Sequence, residues 1–139
     1  MLNQQLAATF DLFSQAKQAH WNVKGAQFIA LHDLFDKLAA ELVAYVDMIA
    51  ERATALGGLA FGTVRMSAGT SRLPECNPDV TDGVSVVEAL AERYAVLGSS
   101  MRQAIEVAED HGDSDTADLF TEVSRGIDKA LWFLEAHLQ

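Results

Sequence analysis

The fold is decided by residues 17–57, which read KQAHWNVKGAQFIALHDLFDKLAAELVAYVDMIAERATALG. Apolar side chains recur at helical spacing from residue 27 to residue 56, and a first helix fits the residues up to about Val23. Between these helices, residues 22–26 contain Gly25 and have the composition of a turn. The stretch therefore predicts two antiparallel helices, the second of which ends at the glycine pair 57–58.

The second of these helices has two different faces. One is an apolar stripe that predicts contact with the chain's own core, and it consists of Leu31, Leu34, Phe35, Leu38, Leu42, Val46, Ile49, Ala53 and Leu56. The opposite face carries acids and also small residues that permit the close approach of another helix, namely Ala39, Ala40, Val43 and Ala50. This pattern predicts that one helix contacts both the core and a second chain.

Two pairs of potential metal ligands lie on the opposite face. His32 precedes Asp36 by four residues, so the two side chains share one side of the helix. Asp47 and Glu51 have the same spacing. The predicted turn places His20 opposite His32 and so adds a further ligand to the first pair. Imidazole combined with carboxylate suits a first-row transition metal, and iron most of all if redox chemistry follows.

These five residues are too widely spaced along one helical hairpin to bind a single ion. Asp36 and Asp47 are eleven residues apart, which is about 16 Å along a helix axis, although their directions differ by only about 20°. A second copy packed antiparallel across this face brings the two groups together around a two-fold axis near residues 41–42. We therefore expect each site to combine the histidine half-site of one chain (His20, His32 and Asp36) with the carboxylate half-site of another (Asp47 and Glu51).

The remaining sequence is helical as well. The first helix begins with the apolar stripe Leu2, Leu6, Phe10 and Phe13. Residues 59–84 form a long connection that contains both prolines and allows a short helix at residues 63–68. Ser85 and Glu88 match a capping box that opens the third long helix, and a turn at residues 111–113 precedes the fourth. Core-facing stripes follow in these two helices: Val87, Leu90, Ala91, Tyr94, Met101, Ile105 and Ala108, then Leu119, Val123, Ile127, Ala130, Leu131, Leu134 and Leu138.

Two helical hairpins joined by one long crossover have the connectivity of a ferritin-like four-helix bundle. We therefore expect an all-α fold in which residues 1–139 form a single domain and the second and third long helices run parallel. A di-iron site at the centre of such a bundle uses Glu-x-x-His motifs, and the sequence contains none. The metal site is therefore expected at a contact between subunits.

Composition and charge restrict the class of protein. Twenty acidic and ten basic residues give a net charge of −10, which repels nucleic acid and anionic membranes and attracts cations. No apolar run reaches the roughly 18 residues of a transmembrane helix, and the N-terminus lacks the features of a signal peptide. The lone cysteine, Cys76, excludes an intrachain disulfide, makes the cytoplasm the default location and is not expected to be a nucleophile.

Four segments carry a resemblance to a known family: KQAHWNVKG at residues 17–25, LHDLFD at 31–36, DMIAERA at 47–53 and DTADLFTEVSRGIDKALWFLE at 115–135. Together they resemble the Dps family, the mini-ferritins named for DNA protection in starved bacteria. The resemblance covers nearly the whole chain. The five half-site residues have the spacing of that family's ferroxidase ligands, which lie between subunits.

The resemblance implies a hollow homo-dodecamer with tetrahedral symmetry, built from two-fold dimers. It also implies that each site binds two iron ions and oxidises Fe(II) to Fe(III), preferentially with hydrogen peroxide, and that the ferric mineral is stored inside the shell. Such a ferroxidase protects against oxidative damage. A site filled by zinc or manganese without turnover stays open, because ligand types alone do not exclude these metals.

The family also suggests roles for residues outside the half-sites. Trp21 is expected either to intercept oxidising equivalents beside the iron or to be a core or interface aromatic residue, and Lys17 to hydrogen-bond an outer carboxylate or water. In a Dps-like shell the start of the fourth helix lines three-fold channels that draw in Fe(II), and the acids there are Asp113, Asp115, Asp118 and Glu122. The alternative is that these acids only stabilise the helix N-terminus through its dipole.

The alternative function is a DNA-compacting protein of the nucleoid. Many family members hold DNA with a basic N-terminal tail, whereas this sequence starts almost directly in its first helix. Together with the acidic net charge, this favours iron oxidation and storage without DNA binding. Nucleoid association is expected only if the natural N-terminus is longer and basic.

Overall fold

The computed structural model describes residues 1–139, and all its regular secondary structure is helical. The elements are α1 (Leu2–Asn22), α2 (Phe28–Ala55), α3 (Val64–Thr70), α4 (Gly83–Asp110), α5 (Ser114–Glu135) and a final 3-10 turn (Ala136–Leu138). Four of these helices are long, and the short α3 lies in the crossover between α2 and α4. The expected all-α bundle with a short helix in its crossover is confirmed. No helix combines the length and apolar character needed to cross a membrane.

Two hairpins, α1–α2 and α4–α5, pack against each other to form the bundle. A core of 24 buried apolar residues connects them. Its largest side chains, Phe35, Tyr94 and Phe120, are at most 1% exposed. Because both hairpins contribute apolar faces to this core, burial of those faces is the main force that holds the hairpins together.

The crossover follows α1 from one end of the bundle to the other. At the start of α1, the side chain of Asn3 donates a hydrogen bond to the carbonyl of Leu59 over 2.9 Å. Beyond its end, the backbone N–H of Lys24 donates to the carbonyl of Thr81 over 2.8 Å. α4 therefore begins at the same end of the bundle as α2, and the expected parallel course of these two helices is confirmed.

The start of α4 differs from the expected capping box at Ser85 and Glu88. Asp82 is the N-cap, and its carboxylate accepts a hydrogen bond from the backbone N–H of Ser85 over 3.1 Å. Hydrogen bonds from Ser85 hold the pKa of Asp82 below its usual value. The capping-box prediction is wrong because the helix already begins at Gly83. A Cβ at that position would lie 2.9 Å from the Leu31 side chain, so glycine permits the close approach of α4 to α2.

Most residues of the predicted stripes are buried or partly buried, but some assignments are wrong. Leu56 and Leu138 are 53% and 39% exposed, because each lies beyond the last α-helical turn of its segment. Ala39 was expected on the outer face of α2 but is 1% exposed, since it lies one turn after the buried Phe35. Phe120, which the predicted stripe of the fourth helix did not include, is fully buried.

We expect Phe120→Ala to lower the free energy of unfolding by about 3–5 kcal/mol, because it removes a fully buried ring from the core. Leu138→Ala is the control, and its exposed side chain predicts a change within about 0.5 kcal/mol. Denaturant unfolding followed by circular dichroism measures both values. Equal effects of the two substitutions would contradict the assignment of Phe120 to the core.

Candidate metal centre

The turn between α1 and α2 brings the histidine half-site together. Val23, which follows α1, is buried, and Gly25 has a φ of 117°, a backbone conformation that favours glycine. The backbone N–H of Phe28 donates to the carbonyl of Gly25 over 3.1 Å, so α2 begins directly after the turn. His20 at the end of α1 and His32 near the start of α2 consequently face each other.

Two reciprocal hydrogen bonds join His20 to His32. Nδ1 of each ring lies 2.7 Å from the backbone carbonyl oxygen of the other residue. The rings are stacked, with centroids 3.8 Å apart and planes inclined by 19°. Because a carbonyl oxygen only accepts hydrogen bonds, Nδ1 is the donor in each ring, and the tautomer that carries its proton on Nδ1 leaves Nε2 as the nitrogen that can bind a metal.

Asp36 lies beside this pair of rings. Its Oδ1 is 2.8 Å from Nζ of Lys17 and 3.9 Å from Nε2 of His20. The hydrogen bond from Lys17 lowers the pKa of Asp36 below its usual value, so the carboxylate stays ionised near neutral pH. The half-site thus places an imidazole nitrogen and a carboxylate oxygen within reach of one cation. Lys17 contacts the predicted ligand itself, rather than an outer carboxylate or water.

Trp21 does not belong to the chain's own core, because its side chain is 64% exposed. Nζ of Lys17 lies 5.7 Å from the centre of its ring, within the range of a cation–π contact. At the start of the next helix, Phe28 and Ile29 are 40% and 64% exposed. Several large apolar side chains are therefore exposed near the histidine half-site in a single chain.

The carboxylate half-site lies further along α2. Asp47 and Glu51 are both exposed, and neither makes an ion pair within the chain. No group of three or more His, Cys, Asp or Glu side chains is arranged to hold a metal ion within one chain, the histidine half-site included. One chain therefore contains two separate parts of the predicted site, and the role of the five residues as ligands stays a prediction.

The acids at the start of α5 are of two kinds. Asp113 is the N-cap of the helix, and its carboxylate accepts hydrogen bonds from the backbone N–H (3.1 Å) and the hydroxyl (2.6 Å) of Thr116. These bonds lower the pKa of Asp113. Asp115, Asp118 and Glu122 are exposed and make no ion pair within the chain. The dipole alternative therefore applies to Asp113 and to Asp115, which lies in the first turn of α5, whereas Asp118 and Glu122 lie beyond that turn. The channel role of Asp115, Asp118 and Glu122 stays a prediction.

Arg52 is a residue that the sequence patterns did not single out. Its Nε donates to Oγ1 of Thr116 and its Nη2 to Oδ1 of Asp113, each over 2.9 Å. These bonds join the last turn of α2 to the start of α5. The one sequence signal is the spacing of Asp113 and Thr116, which is typical of an N-cap. That signal does not identify a partner 61 residues away along the chain.

Cys76 borders an apolar cavity of about 490 Å³ between α1, the crossover and the start of α4. The residue is half-buried, and burial raises the pKa of its thiol. A protonated thiol is a poor nucleophile, which agrees with the expectation that Cys76 has no catalytic role.

The lowered pKa of Asp36 predicts a pH-dependent effect of Lys17→Met. Above the ordinary carboxyl pKa of 3.8 the ion pair with Lys17 is complete, and it is lost as the pH falls through the lower pKa of the folded state. The variant should therefore melt at a slightly lower temperature than the wild type at pH 6. This difference should shrink as the pH falls below 3.8 and vanish once the pH is below the lowered pKa of Asp36. Melting curves across this range test the prediction. The matched control is Lys37→Met, which removes a neighbouring lysine without an ion pair.

Known proteins resemble this chain over nearly its whole length, in sequence and in fold. A model of the ferritin-like domain family matches residues 1–139. The DNA protection during starvation protein of Agrobacterium fabrum is 45% identical over 139 residues, which are 100% of this chain and 86% of that protein. The crystal structure of Dps from Staphylococcus aureus has a TM-score of 0.94 and 32% identity, and the match covers 99% of this chain and 92% of that one.

A third comparison concerns the chemistry of the family. Dps from Vibrio cholerae O1, described as a member of a broad superfamily of ferritin-like diiron-carboxylate proteins, has a TM-score of 0.93 and 28% identity, with coverage of 99% of this chain and 86% of that one. The fold, the length of the match and the sequence identity to these relatives all indicate the same family. This chain belongs to the Dps family of ferritin-like proteins.

Proposed function

We propose that this protein oxidises Fe(II) at di-iron sites shared between two chains and stores the product as a ferric mineral. The observation that carries the proposal is the His20–His32 pair, whose reciprocal hydrogen bonds occupy both Nδ1 atoms and leave Nε2 as the metal-binding nitrogen of each ring, with Nε2 of His20 3.9 Å from Asp36. Ligands held in this way need little reorganisation when a metal binds. The description of the Vibrio cholerae relative as a diiron-carboxylate protein supports iron as the metal.

A second chain supplies the carboxylates that one histidine half-site lacks. Asp36 and Asp47 are both exposed on α2 but lie about 16 Å apart along the helix axis. The exposed Ala40 and Val43 are small enough to let a second α2 approach. Antiparallel packing about a two-fold axis then places each carboxylate half-site against the histidine half-site of the other chain, which makes two sites per dimer.

Hydrogen peroxide is the proposed oxidant. Two Fe(II) ions each give one electron, the O–O bond of the peroxide breaks, and two protons complete two molecules of water. Delivery of both electrons at one site avoids the release of hydroxyl radical. The two Fe(III) ions then react with water to give ferric oxyhydroxide and protons. Imidazole suits iron as a ligand, and the carboxylates favour the harder Fe(III) ion.

Lys17 has to leave Asp36 before a metal ion can bind that carboxylate, because its ammonium group lies 2.8 Å from Oδ1. The ring of Trp21 offers an alternative position, since Nζ is already 5.7 Å from the ring centre. Rotation of the lysine side chain toward the ring frees the oxygen and keeps a favourable contact for the charge. The ring of Trp21, which contacts the same lysine, is also close enough to the site to intercept an oxidising equivalent.

The proposal extends to a hollow homo-dodecamer in the cytoplasm, assembled from two-fold dimers. Fe(II) reaches the interior through channels lined by Asp115, Asp118 and Glu122, which are exposed and free of cation partners within the chain. The net charge of −10 favours the attraction of cations to the shell. Zinc or manganese would fit the same ligand types without turnover, and metal analysis together with Fe(II) oxidation kinetics separates that case.

The direct test of the proposed function is anaerobic loading with Fe(II) followed by peroxide. We expect oxidation much faster than that of free iron, with about two Fe(II) consumed per peroxide because each ion gives one electron. Absorbance follows the ferric product, and a spin trap measures hydroxyl radical, which should stay low. Oxidation at the rate of free iron would refute the proposal.

A complementation experiment tests whether the site is shared. Asp36→Ala and Asp47→Ala should each inactivate every site of a homo-oligomer. In a mixed dimer one site carries both lesions, whereas the other combines an intact histidine half-site with an intact carboxylate half-site. Unfolding and co-assembling the two inactive variants should therefore restore fast oxidation at a fraction of sites. A mixture as inactive as its parents would show that each site is built within one chain.

DNA compaction is the second candidate function, because the Agrobacterium fabrum relative is named for DNA protection. The net charge of −10 opposes it, since binding to duplex DNA relies on lysine and arginine contacts with phosphates. We expect no shift of duplex DNA in a gel at moderate salt. Tight, salt-sensitive binding by this chain would show that the charge argument is wrong.

A further inference from the structure

We propose that Arg52 is a positioning residue for the carboxylate half-site. Through Asp113 and Thr116 it holds the end of α2, and with it Glu51 and Asp47, in the place where the partner chain needs them. This inference rests on the proposed function, in which those two carboxylates complete the partner's site.

The contacts of Arg52 fix the direction of its side chain. Two different N–H groups donate to two different acceptors, Thr116 Oγ1 and Asp113 Oδ1, and both distances are 2.9 Å. Thr116 is fully buried and bonds to both oxygens of the Asp113 carboxylate through its own N–H and hydroxyl. Because a guanidinium group is planar and rigid, it cannot turn away without breaking one of these bonds.

The burial of this ion pair distinguishes it from an ordinary surface pair. The side chains of Arg52 and Asp113 are 24% and 27% exposed. Those of Arg102 and Asp128, which join α4 to α5 over 3.1 Å, are 54% and 57% exposed. Exposed pairs are screened by water and contribute little to structure, whereas partly buried pairs with several hydrogen bonds hold their geometry better.

Arg52 lies near the end of α2, next to the carboxylate half-site. α2 ends at Ala55, only three residues later, and the terminal turns of helices are the ones that fray. Arg52 makes the only side-chain hydrogen bonds between α2 and the start of α5. Glu51 is its immediate neighbour in sequence, and Asp47 lies little more than one turn earlier. Ligands of a metal have to be held to within about half an ångström, so the contact at Arg52 is well placed to supply that precision.

This assignment gives Asp113 a role that differs from the expected channel. A channel residue changes the rate at which metal arrives, but it leaves the equilibrium affinity of a distant site unchanged. A residue that acts through Arg52 on Glu51 changes the equilibrium affinity itself. The two roles can therefore be separated by measuring both quantities on one variant.

The test uses the full assembled protein and Asp113→Asn. Asparagine is as good an N-cap as aspartate, so the start of α5 is kept while Arg52 loses its ionised partner. In an anaerobic titration with Co(II), followed by its visible absorption, we expect the half-saturating concentration to rise about tenfold, as for residues that orient ligands from outside. Hydrogen exchange of residues 47–55 should become faster even without metal. Arg52→Lys should act in the same direction, because an ammonium group lacks the rigid fork that reaches both acceptors.

The matched control is Asp128→Asn, which removes the acid from the exposed Arg102 pair and should bind Co(II) like the wild type. Unchanged Co(II) affinity in both Asp113→Asn and Arg52→Lys would overturn the inference, whether or not iron uptake is slower. Faster hydrogen exchange with unchanged affinity would also overturn it, because the contact would then be merely structural. If the wild type itself binds no Co(II) at the shared site, the proposed function fails, and this inference fails with it.

Discussion

The reciprocal hydrogen bonds between His20 and His32 are the constraint on which the geometry of the candidate site depends. The carbonyl of His20 lies in the last turn of α1, where no later residue of the helix can donate to it. The ring of His32 supplies the missing donor over 2.7 Å. The same bond that completes the end of one helix therefore fixes the tautomer of a ring on the next. Packing of the α1–α2 hairpin therefore also orients the two histidine rings as ligands.

α2 connects this local constraint to the rest of the molecule. Its inner face, with Leu31, Phe35 and Ile49 fully or almost fully buried, belongs to the core of the bundle. Its outer face carries exposed acids from both half-sites, so the rigid packing of one face sets the spacing of ligands on the other. The consequence is an exposed acidic face on a chain of net charge −10, which a bound cation can compensate.

Directional polar contacts determine how the helices and the crossover are aligned with one another, which the apolar core specifies less strictly. Arg52 attaches the end of α2 to α5. In the second half of the crossover, the carbonyls of Pro74 and Glu75 accept hydrogen bonds from the guanidinium of Arg93 on α4 over 3.1 and 3.0 Å. Apolar contacts are non-directional, whereas each of these bonds is satisfied only in one arrangement of the elements.

The sequence by itself determined the helical class, the two hairpins with their long crossover, and the opposition of His20 and His32. Residue spacing along a helix decides which side chains share a face, and a short turn makes two consecutive helices antiparallel neighbours. Only the tertiary structure decided that Asp82 caps α4, that Ala39 and Phe120 are buried, and that Arg52 contacts Asp113. It also decided which nitrogen of each histidine ring donates a hydrogen bond, since that depends on carbonyl groups brought close by packing. Such contacts join residues that are distant in the chain, and the local periodicity of a sequence contains no information about which helices become neighbours.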